Sequence, residues 1–324
     1  MNDHAYDLFN GDADGICALH QLRMAEPREA TLVTGVKRDI ELLRHLPAGE
    51  AADATVLDLC FDRNETGVRR VLDAGGRVHY IDHHAAHNLF EHPRLTSLID
   101  TSKGVCSALL VDQHVGGRFR DWAIVGAFGD NLLGVAGALA QQRGHDEPAT
   151  ACLGRLGLLL NYNAYGETAE DLHLHPRVLY EALHEFESPF DFIDHAPEYG
   201  HLAEGYELDR RGLASLRPYR QDDTGELYLL PGEPWARRLA GTLANQRAAL
   251  YARKSIAVLT SRTDGGYLAS VRVAANCTAG ADVLCRRYPG GNGRSAAAGV
   301  DQLPDSALDG FIADFFLHIK GDHK

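Results

Sequence analysis

An α/β protein with a parallel, doubly wound sheet and a second, smaller α/β domain is what this 324-residue sequence predicts. Three observations predict it. Short β-type apolar runs alternate with helical patterns through the first 135 residues. Acidic residues gather where those runs end. After a mainly helical stretch, strand-like and helix-like patterns return towards the C-terminus. Strand–helix alternation with short connections implies parallel strands, because a crossover through a helix brings the chain back in the same direction.

The apolar runs are AYDLF (5–9), ATLVTGV (30–36), TVLDL (55–59) and RVHYI (77–81), rich in the residue types that suit a pleated, buried surface. Between them, helices are expected over 16–25, 38–46 and 65–75, the last closed by Gly75 and Gly76. Two more are expected over 103–115 and 121–129. From about 135 to 210 the pattern is mainly helical and reads as a connector or cap. The Pro- and Gly-containing stretch 215–235 reads as a boundary. A helix over 235–252, two strand-like runs (SIAVLTSR, GYLASVRVAA), the segment RRYPGGNGRSAAAGV and a last apolar helix over 308–319 complete the chain. The expected division is therefore a catalytic domain at 1–135, a helical linker at 136–234 and a substrate-binding domain at 235–324.

Composition narrows the class. No run approaches the roughly 18 apolar residues of a spanning helix, and the N-terminus lacks the basic start and apolar segment of a secretory signal. Six cysteines are scattered without a CxxC pair, which fits reduced thiols in a cytoplasmic protein better than a disulfide frame or a zinc knuckle. The net charge of −13 argues against a protein that grips long nucleic acid through a basic surface. Residues 1–209 carry 34 acids against 16 Lys/Arg, whereas residues 210–324 carry 11 against 16. An acidic part able to hold cations, joined to a basic part able to hold anions, suits metal-dependent chemistry on phosphates.

Four acidic signals carry the chemistry. Asp12 and Asp14 lie in FNGDADG, between the first strand and an apolar helix. Asp58 ends TVLDL, Asp82, His83 and His84 follow RVHYI, and Asp130 ends GAFGD. If all four follow strands of one parallel sheet, they converge on its carboxyl edge, where ligands of such sheets bind. Taken singly, each has a plainer reading. NGDADG also fits the start of an EF-hand loop, although Gln21 stands where that loop needs Glu. DADG is also a good turn or helix cap, and Asp58 and Asp130 are acceptable helix termini. Together they form a carboxylate cluster that is costly unless cations occupy it. Carboxylates with one or two imidazoles suit Mn²⁺ or Mg²⁺.

GDADG, VLDLC, IDHH and GAFGD, in that order, resemble motifs I to IV of the DHH phosphoesterase superfamily, with the first and third closest to its RecJ-like and oligoribonuclease-like branch. The tail is similar to the DHH-associated C-terminal domain, since GGNGRSAAAGV resembles its Gly-rich signature. The resemblance covers roughly residues 5–135 and 235–318 and leaves 136–234 without a motif. It implies two Mn²⁺ ions, with Mg²⁺ as the alternative, sharing a water that attacks phosphorus. Asp12 would hold the first ion and Asp14 the second, Asp58 would bridge both, and His83 and Asp130 would complete the second. His84 would face the substrate phosphate, oriented by Asp82. Leu8 stands where several members place a metal-binding histidine, and Asn10 where the RecJ branch often has Asp, so the first ion is expected to be held more weakly. In the tail, Gly290, Gly291 and Gly293 would offer backbone N–H groups to a phosphate, with Arg294 in the usual histidine position and Arg272 nearby.

The function expected is hydrolysis of short oligonucleotides, linear or cyclic dinucleotides, or nucleotide 3′,5′-bisphosphates, with the two domains closing on substrate. The rival readings are a RecJ-type exonuclease on single-stranded DNA, a pyrophosphatase of the same class, and a non-catalytic nucleotide sensor. The expected partner is a small phosphorylated nucleotide, with short nucleic acid admitted, long nucleic acid and membranes not, and a homodimer left open.

Overall fold

The computed structural model describes residues 4–213 and 216–320, which form two compact units divided between Gly205 and Tyr206. The first unit opens with β1 (His4–Phe9), α1 (Ala13–Ala25), β2 (Thr31–Val33), β3 (Ala52–Leu57), α2 (Phe61–Asp73), β4 (Arg77–Asp82) and β5 (Leu95–Ile99). The strands form one sheet in the order β2-β1-β3-β4-β5, and every pair is parallel. The chain steps from β1 to β2 on one side and returns to β3 on the other. The loops after β1 and β3 therefore diverge, which opens a crevice at the carboxyl edge between them.

Packing on the two faces explains the helix compositions. On one face, Phe61, Val68, Val71 and Leu72 of α2 bury against Val56 and Tyr80 of the sheet, at the spacing of one helical stripe. On the other, α1 is buried from Ala13 to Arg23, because it is enclosed by α3 (Ser107–His114) and α4 (Arg120–Gly129) as well as the sheet. That enclosure is why its sequence is apolar nearly all round. Gly129 lets α4 approach α1, since a Cβ there would overlap the Cβ of Ala13. The helices α5 (Leu133–Gln142), α6 (Glu147–Asn163), α7 (Pro176–Leu183), α8 (Pro189–His195) and α9 (Pro197–Leu213) follow, with α6 packed on α4. Residues 136–205 thus lie with the first unit and 206–234 with the second.

The second unit contains β6 (Arg220–Gln221), β7 (Gly225–Leu230), α10 (Pro234–Leu250), β8 (Ser255–Ser261), β9 (Tyr267–Arg272), α11 (Ala281–Cys285), β10 (Gly291–Gly293), β11 (Ala297–Leu303) and α12 (Leu308–Lys320). Its sheet runs β10-β11-β9-β8-β7-β6 and is mixed: β7 and β8 are parallel, the other pairs antiparallel. Alternate residues face opposite cores. Leu227, Ala257 and Leu259 pack with Phe311 and Phe315 of α12, while Tyr228, Ile256 and Val258 pack with Ala240 and Leu243 of α10. The α/β class with a parallel sheet and a second α/β unit is what the sequence predicts.

Local expectations fare less evenly. Residues 38–46 make no α-helix, only a single 3-10 turn at Leu42–His45. There the side chain of Asn64 takes over the backbone: its Nδ2 donates to the Ile40 carbonyl at 2.6 Å and its Oδ1 accepts from Leu43 N–H at 3.3 Å. The run 30–36 pairs only at Thr31–Val33, and the chain then leaves the sheet towards the site described below. The stretch 215–235 contains β6 and β7, with GELYLL almost wholly buried. β5, an edge strand of mixed polarity, has no counterpart in the expected elements. All six cysteines are free, and no described helix is long and apolar enough to cross a membrane.

Candidate metal centre

Three of the four acidic signals do follow strands. Asp12 lies just past β1, Asp58 follows β3, and Asp82 is the last residue of β4. The fourth does not: Asp130 caps the C-terminus of α4. A carboxylate at that end of a helix faces the negative pole of the helix dipole. Another cation or proton must offset it.

Each side chain is held from more than one direction. Asp12 caps α1, accepting from the N–H groups of Asp14 at 3.0 Å and Gly15 at 3.1 Å. Gly15 is required there because a Cβ would overlap the carbonyl of Asn10. Asp14, in the first turn of α1, has both carboxylate oxygens bonded to the first turn of α3, from Ser107 N–H and Ala108 N–H at 2.8 Å each. Two helix N-termini therefore favour its charge. Asp58 sits at φ 57°, the left-handed region, where Asp is among the few tolerated residues. Its N–H donates to the Ile81 carbonyl at 3.0 Å, and its Oδ1 accepts from Ser107 Oγ at 3.0 Å. Strain of order 1–3 kcal/mol held by surrounding bonds is typical of a site that serves function.

His83 lies among these acids. Its Nδ1 donates to the Val105 carbonyl at 3.0 Å, which turns Nε2 to within 3.4 Å of Asp58 Oδ1 and 3.8 Å of Asp14 Oδ2. That is the orientation in which a histidine ligates a metal. His84 donates from Nδ1 to Asp82 Oδ1 at 2.7 Å, and the two imidazoles stand 4.5 Å apart. The His83 side chain is 4% exposed and that of His84 38%, so only His84 opens to solvent. One ligand atom each from Asp58, His83 and His84 lie within 4.8 Å of one another.

The electrostatics show an excess of negative charge. Burial first, then Asp14 and Asp12, push the Asp58 carboxyl well above the usual range. Burial and the charge of Asp14 raise Asp130 to about 6. Burial opposes a charge on His83, yet Asp58, Asp14 and Asp130 outweigh it and raise it to about 10. Without a metal, protons on these groups hold the cluster together. The donor set of carboxylates and one correctly turned imidazole fits a hard divalent cation, which would replace those protons. The neighbouring thiols of Cys17 and Cys106 are driven well above their ordinary range, by burial first and then by Asp14, so they are neutral.

Sequence reasoning missed Lys37, Ser107, Asn161 and Tyr165. The Lys37 ammonium pairs with Asp12 Oδ2 and donates to Asn161 Oδ1 at 3.0 Å. Its position, just beyond β2 on the same sheet edge, was the available signal. The two departures noted in the motif are also explained. Leu8 is fully buried in the core. Asn10 braces the loop, with Oδ1 accepting from Asp12 N–H at 3.3 Å and Nδ2 donating to the Lys37 carbonyl at 3.4 Å.

In the second unit, Arg272 ends β9 opposite Ala297 of β11, and Arg294 exchanges backbone bonds with Ala297 across the β10–β11 turn. The two arginines thus lie on opposite sides of β11, both level with Ala297. Arg272 Nε donates to Asn245 Oδ1 at 2.8 Å, whereas Arg294 is exposed. Gly290 has φ 73° and Gly293 φ 144°. The N–H of Gly291 is taken by the Tyr288 carbonyl at 3.0 Å, and that of Gly293 lies 2.8 Å from Asn292 Oδ1.

No family model matches the sequence, and no curated protein matches it. Solved structures do resemble the fold. A DHH-domain protein described as a member of a family of ribosomal proteins superposes over 98% of this chain and 87% of its own, with a TM-score of 0.68 and 14% identity. Exonuclease RecJ bound to manganese does so over 99% and 91%, with 0.65 and 17%. The pGpG-specific phosphodiesterase PggH from Vibrio cholerae does so over 99% and 100%, with 0.59 and 15%. The fold is the one these DHH-domain proteins share, as the motifs implied.

Proposed function

We propose that the chain is a divalent-metal-dependent phosphoesterase acting on short nucleotide substrates. The observation that carries the reading is the convergence of Asp14, Asp58 and His83 with Asp130 at one sheet edge, where burial and mutual repulsion leave carboxyls far from their ordinary range. Mn²⁺ is the ion favoured, with Mg²⁺ the alternative. Support comes from the fold shared with a RecJ bound to manganese and with a phosphodiesterase specific for pGpG.

A divalent ion bound there would supply hydroxide near neutral pH and offset charge on the phosphoryl oxygens. The protein groups do the rest. Asp14, Asp58, His83 and Asp130 would hold the ion. Asp82 fixes Nδ1–H of His84, which leaves His84 Nε2 to meet the substrate phosphate. In the second unit, Arg294, with Arg272 and the turn at Gly290, Gly291 and Gly293, would offer a cationic contact to a phosphate. Gly291 and Gly293 shape this turn, since their N–H groups have partners already and a Cβ at either would overlap the chain's own backbone. Residues 1–209 carry a balance of −18 charges, which disfavours tracking along a long strand.

The test is a chromatographic panel with Mn²⁺ over dinucleotides, cyclic dinucleotides, 3′,5′-bisphosphates, pyrophosphate and long single strands, with Asp58→Asn as control. Asn tolerates a positive φ and can still accept from Ser107, so the fold survives while turnover is lost. Release of mononucleotides from the short substrates is expected. Degradation of long DNA alone would move the assignment to the exonuclease, and inactivity on every substrate would refute the enzyme reading.

A further inference from the structure

The metal reading above leaves open what balances Asp12. Its carboxylate faces the same crevice as the other acids, yet the cation against it is a side chain of the protein. We propose that the Lys37 ammonium takes the cation position beside Asp12, so that this chain loads one divalent ion, on Asp14, Asp58, His83 and Asp130. The inference rests on that cluster being a metal site at all.

Lys37 is built into this position from three sides. Its backbone N–H donates to the Ala164 carbonyl at 2.9 Å, and its carbonyl accepts from Asn10 Nδ2 at 3.4 Å. Its ammonium pairs with Asp12, donates to Asn161 Oδ1 at 3.0 Å, and lies 5.5 Å from the centre of the Tyr165 ring. Asn161 belongs to the last turn of α6 and Ala164 caps it, so the ammonium sits at the negative pole of that helix. A helix C-terminus, a carboxylate, an amide oxygen and an aromatic ring all favour a cation here. The side chain is one-quarter exposed and that of Asp12 only 4%, so little water screens the pair.

Apart from Asp58, whose carboxyl also contacts Asp12, the residues that could have made this half of the crevice a metal site point elsewhere. Leu8 is wholly buried in the core below the sheet edge, and the Asn10 side chain is spent on Asp12 N–H and the Lys37 carbonyl. Asp12 itself already accepts two backbone N–H groups besides the ammonium. By contrast, His83 turns its ligating nitrogen towards Asp14 and Asp58. An ammonium carries a single charge and cannot activate water as a divalent ion does, but it is permanent and independent of metal supply. The helices after Asp130 thereby gain a role, since α6 and the residue after its cap deliver the groups that hold the lysine.

Metal counting decides the matter. The full chain is stripped with EDTA, reloaded with Mn²⁺ and desalted. Bound manganese is then measured by plasma mass spectrometry and by the electron paramagnetic resonance of free Mn²⁺ during titration. The wild type and Asp12→Asn are expected to hold one ion per chain, because Asp12 is not a ligand. Lys37→Met, with its fold checked by circular dichroism, is expected to show a second binding event and a count rising towards two, as the uncompensated Asp12 recruits a cation. Two ions in the wild type, loss of an ion in Asp12→Asn, or a count of one in folded Lys37→Met would each overturn the proposal. Should Lys37→Met not fold, the wild-type count and Asp12→Asn still decide. A count of zero in the wild type would overturn it together with the metal reading on which it rests.

Discussion

Replacing Asp130 by Asn should make the metal-free protein more stable and the metal-loaded protein less so. Burial and the nearby charge of Asp14 raise the Asp130 carboxyl from 3.8 to about 6. An acid with a raised value in the folded state binds its proton more tightly there than in the unfolded chain. Its cost is absent below about pH 4, grows as pH rises to about 6, and is constant above that. The difference of about two pH units, at about 1.4 kcal/mol each, gives an upper bound of ~3 kcal/mol. For a unit of about 200 residues this corresponds to roughly 6–12 °C in Tm. Asn does not titrate and keeps the backbone bond from position 130 to the Gly126 carbonyl at the end of α4. Thermal unfolding in EDTA should therefore show a gap between variant and wild type that opens between pH 4 and pH 6. With Mn²⁺ at about 100 times the dissociation constant the wild type gains about 2.7 kcal/mol, and the variant, lacking a ligand, gains less. A gap that does not change with pH, or equal stabilisation of both proteins by Mn²⁺, would refute the reasoning.

Three further outcomes follow from the same geometry. Because His83 in the metal-free protein is raised to about 10, Mn²⁺ must displace its proton. The apparent affinity should then rise at least about tenfold per pH unit between pH 7 and 9, and calorimetry in buffers of different ionisation enthalpy should register at least about one proton released per ion; no release at pH 7.5 would contradict the assigned ligand. Asp82→Asn removes the carboxylate that orients His84 and should lower kcat by about 10–100-fold with the manganese count unchanged, whereas loss of the ion would make Asp82 a part of the metal site. Arg294→Ala should raise KM or lower kcat for phosphate-bearing substrates without releasing metal, and unchanged kinetics would remove Arg294 from the site.

What the sequence disclosed follows the range of the interactions involved. Strand ends are legible because a buried parallel strand is a short apolar run, and the acids immediately after three such runs fall on one edge by topology alone. Asp130 reaches the same place by another route, from the end of α4, which periodicity indicated but the strand-end argument overlooked. The partners that hold the site were not legible. Ser107 meets Asp14 across 93 residues, and Lys37 meets Asn161 across 124, and no local pattern announces such contacts. The expected helix over 38–46 failed for a similar reason, since Asn64, some 20 residues on, supplies the bonds a helix would have made internally. In the second unit the Pro- and Gly-containing stretch reads as a boundary, yet GELYLL is an almost wholly buried strand of the sheet. The motif's own gaps proved informative, because Leu8 and Asn10 mark the half of the crevice where Lys37 now stands.

Whether this acidic edge is a metal centre can be seen in a crystal structure of the full chain grown with Mn²⁺ and measured at the manganese absorption edge. One anomalous peak is expected, bound by Asp14, Asp58, His83 and Asp130, with Lys37 still on Asp12. Absence of a peak at this edge, with Mn²⁺ in excess at neutral pH, would contradict it.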